Sequence, residues 1–115
     1  MTLTSRAAIL VVLLLAALLE AGGDALVRSG LHASSLVTRL GFLVSGGIVL
    51  FAYGYVVNTP PWNFGRLLGI YVVFFFVIAQ LISWTVFHQR PTPPVLYGGA
   101  FILIGGVIMT VWTSP

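Results

Sequence analysis

Cysteine and lysine are both absent from this chain of 115 residues, and it has only two acidic side chains, Glu20 and Asp24. Without cysteine no disulfide can form, and the redox compartment stays open. Charged residues make up 6% of the chain, whereas a soluble domain carries roughly a quarter. With 59% hydrophobic residues and a mean hydropathy of +1.11, the chain is expected to be an integral membrane protein. Its net charge of +3 rests on five arginines scattered singly between apolar runs. That pattern marks topology and excludes the basic stripe a nucleic-acid partner needs. His32 and His88 lie in or beside loops without metal-ligand spacing. No nucleophile motif, phosphate loop or metal cluster is present, so neither enzyme activity, cofactor nor metal is expected.

What the chain does have is apolar length. Crossing the hydrocarbon core as a helix takes about 20 apolar residues, and four stretches qualify, at 7–27, 38–57, 66–88 and 94–113. The breakers Asn58-Thr59-Pro60-Pro61 and Gln89-Arg90-Pro91-Thr92-Pro93 separate the later ones. The fold class is therefore all-α and integral membrane, with 1–115 as a single four-helix domain. Short connections make neighbours antiparallel. Arg6 followed by an apolar run has a signal-peptide look, but the run continues past Glu20 without a small-x-small cleavage site, and the segment is read as a span. Arg6 and Arg66 fall on one membrane face, and Arg28, Arg39 and Arg90 on the other. So even a split allows two outcomes: one fixed orientation, or insertion both ways with antiparallel pairing.

Both acids belong to the first span. With that helix centred near Ala17, Glu20 lies about 4.5 Å past the middle and Asp24 about 10 Å, near the headgroup boundary. An ionised carboxylate at Glu20's depth costs a few kcal/mol if it faces lipid, so Glu20 should face protein or water. Ala16, Ala17, Gly23 and Asp24 share its face and leave room for a helix or a ligand. Burial favours the protonated form of a carboxyl group, and an acid so placed can exchange a proton for a cation. The bland alternative is a neutral carboxyl hydrogen-bonded between helices. Asp24 has Arg28 at i+4 and reads as its surface ion-pair partner.

Gly98 and Gly105, seven apart in helix four, form a flat stripe that a second backbone can approach; Gly46, Gly47 and Gly54 suit close packing in helix two. Tyr71 either lines a pocket or belongs to the interfacial belt, and Trp62, Trp84 and Trp112 sit near span ends as belt anchors.

Four spans of this size with one glutamate in helix one resemble the small multidrug resistance family of proton-coupled exporters, within the drug-metabolite transporter superfamily. The likeness rests on Ala16, Glu20, Gly23 and Arg28 in helix one. It also rests on Ser83, Trp84, Phe87, Gln89 and Arg90 at the end of helix three, and on Gly98 and Gly105 at the family's dimer-packing positions. The resemblance implies a bacterial inner (plasma) membrane protein working as an antiparallel, dual-topology dimer, with an identical chain or a paralogue. Glu20 of both subunits would bind protons and a small organic cation in turn, with Asp24 and Tyr71 in the site, and Ala16, Gly23, Arg28, Arg66 and Trp84 lining or supporting it.

Depth counting agrees. Within one chain Glu20 and Tyr71 would lie about 13 Å apart in depth, but about 4–5 Å apart across an inverted partner, which also brings its Arg66 to Asp24's side. Both contacts are therefore expected between subunits. The chain departs from the family at Leu68 and Tyr71, where a tyrosine and a tryptophan are usual, and at Val73 and Phe75, which replace a glycine pair. Gly65-Arg66 followed by Tyr71 is similar to the YnfA-type branch. Alternative readings are a lipid-linked or other metabolite transporter of the same fold, and an accessory subunit of a membrane complex.

Overall fold

The computed structural model describes residues 5–112. They form four helices, α1 (Arg6–Leu31), α2 (Leu36–Val57), α3 (Phe64–Thr85) and α4 (Pro93–Val111). Two serines start the first pair. Ser5 accepts the Ala8 N–H and Ser35 accepts the Thr38 N–H, each at 3.1 Å, which satisfies donors that a helix start leaves free. Pro93 and Pro94 occupy the first turn of α4, where a missing N–H costs least. Each helix is long and apolar enough to cross a membrane. The chain is a multi-pass, all-α integral membrane protein.

The helix ends differ from the expected span ends, for a physical reason. A span ends where hydrocarbon ends, whereas a helix ends where its backbone is capped. So α1 continues past Val27 to Leu31, until the His32 N–H and ring Nδ1 both meet the Arg28 carbonyl, at 3.3 and 2.9 Å. α2 and α3 each begin two residues earlier than expected, at Leu36 and Phe64. α3 stops at Thr85 rather than His88, because His88 takes a left-handed φ of 57° that no helix can propagate through. α4 ends at Val111, and the expected end at residue 113 lies outside the described residues.

Backbone contacts join α1 to α2, α1 to α3, and α3 to α4, and no other helix pair among the described residues. The spatial order is therefore α2–α1–α3–α4, an open layer 21 Å across its thinnest direction. Ile9, Leu13, Ala16 and Ala17 of α1 pack with Leu67, Ile70 and Tyr71 of α3 and Val57 of α2. Small residues set the close approaches. A Cβ on Gly23 would meet Leu50 at 2.8 Å, and one on Gly46 would meet the Gly23 carbonyl at 3.0 Å. Between α3 and α4, Phe76 fills the space over Gly99 and Val73 the space over Gly106.

Candidate functional site

α1 is apolar from Ala7 to Leu19 before it meets an acid. Its midpoint falls between Leu18 and Leu19, so Glu20 lies within about 3 Å of the helix centre, deeper than the shorter span implied. Glu20 is half-buried. The Tyr71 hydroxyl donates to Glu20 Oε1 at 2.6 Å and reaches the Ala16 carbonyl at 3.4 Å. Tyr71 itself is 4% exposed. Ala16 and Ala17 contribute by having almost no side chain, so the α3 phenol can lie against the α1 backbone.

This contact corrects an expectation. Glu20 meets Tyr71 within one chain, where the expectation placed the contact between subunits. The depth count used span ends set by charged residues, whereas α1 runs on to Leu31 and α3 is shifted toward its start, from Phe64 to Thr85. With α3 centred between Phe74 and Phe75, the depth difference shrinks to about 7–8 Å, a gap that the two long side chains close.

Two aromatic residues complete the surroundings. Tyr53 of α2 lies 5.5 Å from Tyr71 between ring centroids, tilted by 33°, and Phe75 lies 6.3 Å on, tilted by 35°. Tilted rings at such distances are favourable arrangements. The sequence did not single out Tyr53. Its signal was a phenol in an apolar helix, one helical turn from Val57 in the core.

The other expected residues divide. Asp24 is exposed, one turn beyond Glu20, and lines a cleft between α1 and α3 with Arg28. Arg28 places its guanidinium 5.3 Å above the centre of the Phe87 ring. Gly23 is buried against α2 and supports the site through helix packing. Arg66, expected beside an inverted partner's Asp24, is engaged within the chain. It donates to the Met109 carbonyl from Nε at 3.4 Å and Nη2 at 3.3 Å, and lies 4.6 Å above Trp62. It thus caps the last turn of α4, where cations are favoured. Trp84 is half-exposed, carries Arg90 at 5.4 Å, and lines a groove with α4 instead of the Glu20 site. At Gly98 and Gly105 an added Cβ would meet nothing within 4 Å, in contrast to their neighbours Gly99 and Gly106.

Comparison with known proteins places the chain. The profile described as "Uncharacterised BCR, YnfA/UPF0060 family" matches residues 6–114. The chain belongs to the YnfA/UPF0060 family. A UPF0060 membrane protein of Clostridium perfringens is 34% identical over 99 residues, covering 84% of this chain and 86% of that protein. A UPF0060 membrane protein of Bacillus licheniformis is 33% identical over 101 residues, covering 86% and 89%. No solved structure matches the chain significantly. Glu20, Asp24, Tyr53 and Tyr71 all fall within the stretch that the YnfA/UPF0060 profile covers.

Proposed function

We propose that this YnfA/UPF0060 protein is a proton-coupled exporter of small organic cations, acting as an antiparallel homodimer rather than as an enzyme. One observation carries the reading: Glu20 is half-buried near the midpoint of a membrane-crossing helix, held at 2.6 Å by the Tyr71 hydroxyl. A carboxyl group in that position is costly unless it is used. It binds a proton or a cation, one at a time. The rings of Tyr71, Tyr53 and Phe75 supply faces that favour cations. The likeness to small multidrug resistance exporters at Ala16, Glu20, Gly23 and Arg28 supports the same reading. Support for a dimer comes from α2 and α4, which each touch one neighbouring helix backbone, and from the open space at Gly98 and Gly105.

The test is cation uptake driven by a pH gradient in proteoliposomes, wild type against Glu20→Gln. The variant should insert and fold normally and lose gradient-driven transport. Undiminished transport would remove Glu20 from the mechanism and the reading with it. A lipid-linked substrate is the second reading. It draws on an apolar groove of about 290 Å³ between α3 and α4 that contains Gln80. That reading expects transport to fail in Gln80→Leu and survive in Glu20→Gln.

A further inference from the structure

Beyond Glu20, towards the C-terminal end of α1, the helices α1 and α3 part to form a cleft of about 180 Å³. Asp24, Arg28, Phe75, Ser83, Phe87 and Gln89 are among its lining residues. Adjoining it, towards the C-terminal end of α1, is a second hollow of about 400 Å³, lined by Arg28, Ser29, His32 and Phe87. Arg28 and Phe87, whose guanidinium and ring are stacked, belong to both linings. At its inner end the cleft reaches Ala21, next to Glu20, and Phe75, which packs on Tyr71. Asp24 stands four residues from Glu20 on one side and four from Arg28 on the other, which puts all three on one helix face.

The chemistry inside this cleft is that of a cation site. A carboxylate supplies charge and aromatic faces supply the quadrupole that holds an organic cation. Yet one aromatic face is already taken, by the chain's own guanidinium over Phe87. Arg28 also sets a positive charge one turn from Asp24. We propose that the cleft is an antechamber for flat organic cations with Asp24 as its anionic group. Arg28 is its tethered occupant, which must leave Phe87 before a free cation can settle there. The substrate class rests on the exporter reading. The site itself does not depend on Glu20.

That independence gives the test. Full-length protein carrying Glu20→Gln, which lacks the deep carboxylate, is titrated with N-methylpyridinium by calorimetry in detergent micelles. Freeing the Phe87 face and unopposing Asp24 should make E20Q/R28Q bind at least about two- to fivefold tighter than E20Q. Adding D24N should abolish that gain. In E20Q itself, the Arg28 side-chain Nε–H resonance, assigned by its loss in R28Q, should shift during titration as the guanidinium leaves the ring. Asp24 and Arg28 are both exposed, so the variants should retain wild-type helicity and elution. Equal affinity in E20Q and E20Q/R28Q overturns the proposal, as does a gain that survives D24N. If wild type binds the probe and every E20Q protein fails to, the antechamber is overturned and the exporter reading stands. If wild type also fails to bind any cation, both fall.

Discussion

A phenol donating to a carboxylate near the middle of a membrane-crossing helix ties two helices to one oxygen atom. On the exporter reading, Tyr71 would share that oxygen with the proton or cation that Glu20 binds. Tyr71→Phe keeps the ring and its packing on Tyr53 and Phe75 and deletes only the donor. Insertion should be unchanged, and gradient-driven uptake should fall by roughly tenfold or more, the equivalent of about 1.5 kcal/mol for a hydrogen bond to a charged group. Uptake in proteoliposomes checks it. Glu20 was legible in the sequence because an acid inside an apolar run has no inexpensive place to go. Tyr71 was legible as a candidate, but its contact with Glu20 within the chain was not expected, because helix ends were taken from charges instead of caps. Tyr53 carried only the faint signal of a phenol in an apolar helix. Its place beside Tyr71 depends on the tertiary approach of α2 to α3, which local sequence does not give.

Helix four shows how one element serves two surfaces. Gly99 and Gly106 receive Phe76 and Val73 from α3, while Gly98 and Gly105 leave open space. The sequence marked Gly98 and Gly105 as a packing surface, but which glycine of each adjacent pair faces α3 depends on rotation about the helix axis, and the repeat alone does not specify it. Gly106→Ala forces a methyl against Val73 and should destabilise the chain by about 1–3 kcal/mol, the usual range for overpacking. Trimming the neighbour in Gly106→Ala/Val73→Ala should recover most of it. Gly105→Ala should leave monomer stability unchanged. Thermal melts followed by circular dichroism in detergent separate the three. The same packing accounts for the departure at position 73: a valine there fills a hollow that α4 provides.

At the scale of the whole molecule, the absence of native cysteine makes single introduced thiols clean reporters. α4 is centred on Ile102, so Gly98 and Gly105 lie at nearly mirrored depths. In an antiparallel pair packed through α4, position 98 of one subunit meets position 105 of the other. Mixed Gly98→Cys and Gly105→Cys chains should therefore cross-link far better than either alone. A parallel pair would reverse that pattern. Orientation is a separate matter, since Arg6 and Arg66 oppose Arg28, Arg39 and Arg90. If insertion is dual, Thr59→Cys should react with a membrane-impermeant maleimide from both sides of the membrane. Labelling from one side alone would establish a fixed orientation.

The order α2–α1–α3–α4 means that each half of the chain is a hairpin of consecutive helices, and the halves meet through α1 and α3. Glu20 and Tyr71 close that meeting line. On the exporter reading, a cation arriving at Glu20 would draw on the oxygen that makes the hydrogen bond between the two hairpins. Ligand chemistry and the contact between the hairpins would then meet at one residue pair, with no relay between them.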